Sequence, residues 1–594
     1  MKPKDIAIIL IFVLISAALL TGAYLQLDNL GRARVKMGLV ATASPEDMPP
    51  SLAFATVAMG AFRGLVVDIL WMRADQLKQD GLFFDAKQLA EWITALQPRF
   101  AAVWDFHAWN MAYNISVAIP ASQCQERWRW VKNGYELLRD KGIPINPKSI
   151  LLYRQLSWIF LHKIGEVSDD CHRFYKREMA MSLSPLLGPN TNEYFAELIA
   201  APRTPVELAS DKEVASLLEQ LKQADPAFEQ QEKFVDNYLS IRQSPDRFSR
   251  AAAALIEQYK GSDALKKVDL FSHASKLRSE WKMDVDFMDK LNREYGPVSY
   301  DDPNEREPLN WLHPAAHAIY WSAKGLEVAG RAETYQLDEK NTDRTVFHSL
   351  QQLYRTGKII LYRTTDGQTS VFLRPDVSMY DSCDRIWLKA IDKYEHLQKG
   401  NAKGLYTGHK NFLENVVMSL YQVGHTEKAK EIFDRLGKLY PVDDYGVTRK
   451  EYKGSLISFI KDRMKDEFEG LGLNDATEAI VFTLEEGYFR YAIHDDDEAG
   501  GRENIAKQMY EYYQSKIAAG ATVKDRLDLP TMDMLRYSAF MEFLNDRNYP
   551  EELGRSLMGR IKIEKPELFE KLRKQEDILM ERLRKKQQQP GSLY

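Results

Sequence analysis

The sequence of 594 residues is poor in cysteine and carries no excess of positive charge. Its three cysteines, Cys124, Cys171 and Cys383, include no CxxC pair of the kind found in zinc and redox sites. So few scattered cysteines do not form a disulfide framework, and we expect buried free thiols; a Cys124–Cys171 bridge is the alternative in an oxidising compartment. The formal net charge is −5, and no basic domain or RNA-binding aromatic signature is present, so no nucleic-acid partner is expected.

The motifs of common catalytic and cofactor sites are also missing. The chain has no GxSxG, no GxxxxGK and no GxGxxG segment. His313 and His317 are four residues apart, but Pro314 occupies the position of the metalloprotease glutamate, so no metal site is expected. Cys171 stands next to His172, and adjacent side chains diverge too far to act as nucleophile and base. The sequence therefore predicts a non-catalytic protein without a cofactor.

One long hydrophobic run is present, at residues 6–25. As a helix it would reach about 30 Å, the thickness of the hydrocarbon layer. We expect an uncleaved single-pass membrane anchor with the large domain on the extracytoplasmic side; a signal peptide cut near Thr21-Gly22-Ala23, giving a secreted form, is the alternative. A second apolar stretch, residues 51–72, contains Arg63 and Asp68 and is predicted to be a buried helix outside the membrane.

Beyond the amino-terminal region, apolar residues recur at intervals of three and four, the period of an α-helix. In the segment GLFFDAKQLAEWITALQPRFAAVW, Gly81 is suited to end one helix in a left-handed conformation, and Pro98 to end the next. Ala86 and Ala90 share one face of this second helix and allow a neighbouring helix to approach closely. Trp104 then opens a third helix. The segment therefore predicts a pair of closely packed helices.

The same intervals recur several hundred residues later. The matching positions are Gly424, Ala429, Phe433 and Pro441, with Leu413 and Leu420 on the preceding helix. A third copy ends at Pro147, and its large apolar positions are Tyr153 and Phe160. This spacing resembles the tetratricopeptide repeat, a pair of antiparallel helices with a period of 34 residues, although Ile93 and Leu436 replace the family's alanine. The anchor and the repeat together also resemble envelope proteins of planctomycete-type bacteria, a likeness that assigns no activity.

The resemblance implies an all-α fold, a right-handed solenoid of antiparallel helix pairs. Near residues 358–373, Asp366-Gly367 lies between two β-rich runs and predicts a small inserted β-hairpin. The predicted regions are an anchor or signal segment (1–28), a tetratricopeptide-like helical domain (47–182), a helical region with linker-like breaks (183–310), a helical region with the β-hairpin (311–400), a second tetratricopeptide-like domain (401–560) and a charged helical tail (561–594).

In this family the first helix of each pair lines a concave groove that binds peptides. Six residues are predicted to line such a groove: Asp105, Trp109, Tyr113, Arg154, Trp158 and His162. The first three share one face of the helix that Trp104 opens, and the last three share the equivalent face of the helix that begins at residue 150. We expect Trp109 beside Trp158 and Tyr113 beside His162; packing against the next helix is the alternative role for these side chains.

The sequence thus predicts a membrane-anchored, non-catalytic scaffold or adaptor at the cell envelope. It would bind a protein or peptide partner, whose identity the residues do not give, through the groove. The alternative is an envelope hydrolase that acts on a glycan or a peptide. Such an enzyme would hold paired carboxylates in a deep pocket of the central region, residues 240–400.

Overall fold

Helices make up nearly all regular structure in the part of the chain that the computed structural model describes. That part comprises residues 15–16, 21–22, 26, 63–298, 304–328, 336–363, 369–397, 403–422, 425–443, 445–468, 473–518, 529–545 and 551–587. Helices α1 to α6 are Arg63–Gln79, Phe83–Leu96, residues 101–118, residues 124–145, residues 150–165 and His172–Leu187. Helices α7 to α13 are Asn192–Ala200, Pro205–Leu208, Lys212–Ala224, Phe234–Gln243, Arg250–Gln258, Asp263–Ser279 and Val285–Tyr295.

The remaining helices follow in the same order. Helices α14 to α18 are Pro314–Val328, Gln336–Thr356, Tyr380–Leu397, Lys403–Gln422 and Thr426–Leu439. Helices α19 to α24 are Leu456–Phe468, Leu473–Ala492, Asp496–Ala518, Met532–Asn545, Glu551–Glu564 and Pro566–Gln587. The expected all-α class is confirmed for the described residues.

The first predicted helix pair is formed by α1 and α2. Gly81 lies between the two helices with φ of +76°, the left-handed conformation that its sequence position predicts. Ala86 and Ala90 are fully buried on α2, where their small side chains let α1 approach closely. Helix α2 ends at Leu96, two residues before Pro98. Each local role predicted from the spacing is confirmed.

The second predicted pair is formed by α17 and α18. Ala429 and Phe433 are buried on α18, and Leu413 is buried on α17. Helix α18 ends at Leu439, ahead of Pro441, while Gly424 lies outside the described residues. This helical hairpin is therefore present as well.

The chain divides into two compact units. The first comprises residues 1–175 and 317–346, and the second comprises residues 176–316 and 347–594. In the first unit, the ring of Tyr135 on α4 lies 5.1 Å from that of Phe160 on α5, and Tyr153 lies 6.3 Å from Trp321. All four side chains are buried. Tyr153 and Phe160, the predicted large apolar positions of the third copy, are thus part of the core of this unit.

A disulfide bond in the first unit corrects one expectation. Cys124 at the start of α4 is bonded to Cys171, which directly precedes α6, and their Cα atoms are 5.4 Å apart. The prediction of free thiols is wrong for these two residues, because packing brings together cysteines that are 47 positions apart in the chain. Cys383 is a buried free thiol, as expected.

Two apolar clusters stand out among the described residues of the second unit. One joins α8 to α12 around Leu217, Phe228 and Tyr238, and the other joins α20 to α24 around Ile480 and Phe543. Helices of the first cluster begin at hydrogen-bonding side chains: Asp211 accepts from the backbone of α9, Ser249 from that of α11 and Ser262 from that of α12. The polar breaks predicted between residues 183 and 310 therefore include the caps of short helices.

The predicted β-hairpin is present in the second unit. Strands β1, Lys358–Arg363, and β2, Thr369–Arg374, pair antiparallel, with Leu361 opposite Val371. The proposed turn, Asp366-Gly367, lies outside the described residues. The hairpin is an insertion between helices α15 and α16.

The structure bears on only part of the amino-terminal predictions. No described helix is long and apolar enough to cross a bilayer, and residues 6–25 lie mostly outside the described ranges. The described part of the second apolar stretch belongs to α1, which buries Val67 and Ala74. Three other apolar side chains of α1 are more than half exposed: Leu65, Ile69 and Met72. The prediction of a buried helix is therefore wrong for this part, because the described residues cover only one face of α1.

The charged tail is helical, as predicted, and one side of it is packed. Helix α24 contains Leu568, Phe569 and Leu572, which all contact the apolar cluster of α20 to α23. Leu572 is buried. The described part of the tail therefore docks on the second unit.

Candidate functional site

Two neighbouring helices of the first unit, α3 and α5, carry the six predicted groove residues. Each helix is fixed by a large buried side chain in its first turn. The indole nitrogen of Trp104 on α3 donates to the carbonyl of Pro98 at 2.7 Å, and the hydroxyl of Tyr153 on α5 donates to the carbonyl of Pro147 at 3.1 Å. Because the proline that ends one helix anchors the next, α3 and α5 present equivalent faces.

Four half-buried rings form a continuous band on those faces. We call Trp109, Tyr113, Trp158 and His162 the aromatic band. Trp109 stacks on Tyr113 with centroids 4.1 Å apart, and Trp158 stacks on His162 at 4.9 Å. The two helices are joined by Tyr113 and His162, whose centroids are 5.8 Å apart and whose hydroxyl and Nδ1 atoms are 3.4 Å apart. The expected neighbourhood of Tyr113 and His162 is thus observed.

The backbone changes its winding at the band. Trp109 and Trp158 each directly precede a π-helical segment, Asn110–Ile115 on α3 and Ile159–Gly165 on α5. A third such segment, Leu137–Gly142, lies on α4. The π-helix is rare and is found disproportionately at functional sites, which singles out this region of the first unit. Sequence spacing carried no signal for it.

The end of the aromatic band nearest the amino termini of α3 and α5 is charged. Burial, the largest effect, raises the pKa of the Asp105 carboxyl to about 6, although a hydrogen bond from Gln155 and the positive charges of Arg154 and Lys78 oppose the rise. Arg154 in turn forms an ion pair with Asp338, with Nη1 and Oδ1 2.8 Å apart. A carboxyl with this pKa changes its protonation state near pH 6, and only its protonated form can donate a hydrogen bond.

The other end of the band is acidic at its surface. The Nε2 atom of His162 lies 3.7 Å from the Glu166 carboxylate, and the Glu166 side chain is 40% exposed. Lys163 lies beneath, with its ammonium 5.3 Å from the centre of the Tyr113 ring and 2.6 Å from the buried Asp169 carboxylate. Burial lowers the pKa of Lys163, although Asp169 opposes the change. The Lys163 ammonium is thus engaged inside the unit.

Sequence reasoning named the six residues proposed to line a groove but missed several of their contacts. Glu166 follows His162 by four positions, a helical spacing that could have indicated the pair. Asp338 and Lys163 could not be found in this way. Asp338 is far from Arg154 in the chain, and the ion pair of Lys163 depends on where the turn after α5 places Asp169.

Other candidate chemistry is accounted for by structural roles. Cys171 is held in the disulfide, which removes the Cys171–His172 pair as a nucleophile and base. The buried His313 accepts a hydrogen bond from the backbone of Ala315 at 3.0 Å and lies 3.2 Å from the Thr356 hydroxyl. Among the residues whose positions are described, no group of three or more His, Cys, Asp or Glu side chains could hold a metal ion.

A polar cleft of about 550 Å³ lies in the second unit. Its lining includes two carboxylates, Asp289 and Glu305. Asp289 forms an ion pair with Arg293 at 2.6 Å, and Glu305 accepts from the side-chain amide of Asn192 at 3.2 Å. Both carboxylates lie within the central region in which the sequence placed a hydrolase site.

Compared with protein-family models, with curated proteins and with solved structures, the chain has no significant match.

Proposed function

We propose that this chain is a non-catalytic scaffold or adaptor of tetratricopeptide type, a solenoid of antiparallel helix pairs anchored to the membrane at the cell envelope. It binds a protein or peptide partner across α3 and α5. The observation that carries the proposal is the aromatic band, which runs across two adjacent helices and is only half-buried. Tyrosine and tryptophan with one accessible edge are the residues that dominate binding energy at interfaces.

Two features support the proposed location. Residues 6–25 are uncharged and have the length of a membrane span. The disulfide between Cys124 and Cys171 is of the kind that forms and persists in oxidising compartments such as the bacterial periplasm. Together they favour an amino-terminal anchor with the folded units on the extracytoplasmic side.

The proposal is tested by crosslinked capture of partners by the full chain in its own envelope extract. We expect the double variant Trp109→Ala/Trp158→Ala to lose at least tenfold in recovered partner while it melts within a few degrees of the parent. Trp92→Ala, which removes a 41% exposed indole on α2 outside the band, is the control and should capture normally. Unchanged capture by the double variant, or its unfolding, would show that the indoles serve packing alone.

The alternative function, an envelope hydrolase, is favoured by the cleft that contains Asp289 and Glu305. Glycoside hydrolysis commonly uses two carboxyl groups on opposite sides of the scissile bond. If the cleft is catalytic, the purified chain will release fragments from a labelled cell-wall polymer, and Asp289→Asn/Glu305→Gln will abolish the release. Polymer turnover that survives in this variant would exclude the cleft.

A further inference from the structure

We propose that the outer edge of strand β1 binds an extended acidic segment of a partner protein, which adds to the hairpin β1–β2 as a third strand. The hairpin belongs to the second unit, and none of its residues is part of the aromatic band. Three features of the hairpin point to this partner: the unpaired edge of its backbone, the covered face that holds it in place and the positive charges of β1.

The hairpin is a two-stranded sheet, so both of its strands are edge strands. Among the described elements, β1 and β2 pair only with each other. In an antiparallel pair, alternate residues of each strand turn their N–H and C=O groups away from the neighbouring strand. No backbone group of either strand forms a hydrogen bond to the described backbone outside the hairpin. The outer edge of β1 therefore presents a row of donors and acceptors at the spacing of another extended chain.

One face of the hairpin is covered, which holds this edge in place. Val371 is buried, and the residues that share its face, Ile359, Leu361 and Leu373, are half-buried. A two-stranded hairpin without such cover is only marginally stable in water. Because the hairpin is already formed, its own ordering does not oppose the binding of a third strand.

The charges of β1 favour an acidic occupant. Lys358 and Arg363 are the end residues of the strand, and every residue between them is uncharged. In the register of the hairpin, Arg374 lies directly opposite Lys358, and like charges in opposite positions destabilise a strand pair. The carboxylate that pairs with Lys358 is that of Asp376, whose Oδ1 atom lies 3.9 Å from Nζ and also accepts from the Ser378 hydroxyl. A carboxylate on an added strand beside Lys358 would compensate a charge that the hairpin pairs only in part.

The same charges disfavour a second copy of this chain as the occupant. If two β1 strands paired antiparallel around their centres, each Lys358 would lie opposite an Arg363 of the other copy. Parallel pairing in register would place identical charges side by side. The occupant is therefore a segment of a different protein, with acidic residues spaced like Lys358 and Arg363. Between them it carries β-branched residues, which pair well with an apolar strand.

The test uses the full chain in detergent and fluorescein-labelled peptides, with fluorescence anisotropy as the readout. The probe is an eight-residue peptide with glutamate at its second and seventh positions and valine and threonine elsewhere. Two further peptides have the probe sequence with methyl groups on alternate backbone nitrogens, one at the odd positions and the other at the even positions. A strand that pairs along one edge donates from only one of these two sets. We expect one methylated peptide to bind like the probe and the other to bind at least tenfold more weakly.

Charge variants locate the site on β1. A peptide with lysine at both glutamate positions should bind at least tenfold more weakly than the probe. The double variant Lys358→Gln/Arg363→Gln should lose most of this difference. The matched control, Lys260→Gln/Arg555→Gln, removes a lysine and an arginine outside the hairpin whose side chains are 69% and 73% exposed, and it should keep the full difference.

The site is independent of the aromatic band, so Trp109→Ala/Trp158→Ala should bind the probe like the parent even if the proposed function fails. The inference is overturned if no peptide binds, or if both methylated peptides bind equally well, since the probe then does not add as a strand. It is also overturned if Lys358→Gln/Arg363→Gln keeps the full preference for glutamate, which would place the acidic peptide elsewhere. Tighter binding by a labelled peptide with the sequence of β1 than by the probe would show that the edge pairs with a second copy of the chain instead.

Discussion

At the scale of single residues, α3 carries two titratable groups with opposite tendencies, the half-buried Asp105 and the buried His107. Burial raises the pKa of Asp105 to about 6 and lowers that of His107 to about 4. Neither ring nitrogen of His107 has a hydrogen-bond partner among the described residues, and the side chain is 3% exposed. The surrounding charges of Glu91, Lys87 and Lys141 have smaller effects on its pKa than burial does.

The His107 ring should make the protein sensitive to acid. In the unfolded chain a histidine takes up a proton near pH 6.5, whereas the folded pKa is about 4, so stability is complete above pH 6.5 and is lost as the pH falls towards 4. The loss is at most about 3 kcal/mol. We expect His107→Leu to be at least as stable as the parent at pH 7, because no unsatisfied nitrogen remains, and to lose less stability between pH 6.5 and 4 in denaturant titrations.

Asp105 complicates this measurement in a defined way. Its folded pKa lies above the unfolded value of about 3.9, so it stabilises the fold as the pH falls from 6 to 4, opposite to His107. The effect of the histidine is therefore given by the difference in free energy of unfolding between His107→Leu and the parent at each pH, and not by the pH dependence of either protein alone. His396→Gln, at a side chain that is 80% exposed, is the control. If the free energy of unfolding of His107→Leu and of the parent changes with pH in the same way, protonation of the His107 ring does not destabilise the fold.

At the scale of elements, the turn between α1 and α2 depends on one glycine. Gly81 has φ of +76° with no atom near the position of an added Cβ, whereas Gly64 lies within α1 and is equally uncrowded. Gly81→Ala should destabilise the first unit by about 1 kcal/mol, because the left-handed conformation disfavours a side chain. Gly64→Ala should stabilise it by up to about 1 kcal/mol through helix propensity. Thermal unfolding of the two variants checks both expectations. Equal shifts in melting temperature would contradict the assigned role of Gly81.

The elements that could be predicted are those decided by local rules. Glycine and proline stereochemistry predicts where α2 begins and ends. Side-chain periodicity predicts the buried positions of Ala86 and Ala429 and the hairpin β1–β2. The three π-helical segments could not be predicted, because no residue type or spacing marks them. The exposed side of α1 was also missed, since an apolar stripe does not show whether another element covers it.

The candidate site was likewise predictable only where local rules decide it. The helical period placed Tyr113 and His162 on facing surfaces, and the structure brings them together. The period did not show that each indole would stack on the next ring of its own helix, because that depends on side-chain rotamers. The disulfide and the Arg154–Asp338 ion pair join distant parts of the chain and became visible only when the fold was known.

At the scale of the whole molecule, the oxidation state of the three cysteines indicates the cellular compartment that the protein occupies. When cells that express the chain are quenched in acid and denatured with a maleimide-coupled polymer, we expect one adduct, at Cys383. Reduction before labelling should give three, and Cys383→Ser should give none without reduction. Three adducts in freshly quenched, unreduced cells would place the protein in a reducing compartment and contradict the proposed location.

The disulfide also has a mechanical consequence. It closes a loop that contains α4 and α5, while α3 lies outside it. If the chain is pulled from points on either side of the two cysteines, α3 can extend, but the 47-residue separation keeps roughly 160 Å of contour length behind a covalent bond. Helices α4 and α5 therefore stay out of the path of such a force as long as the bond is intact.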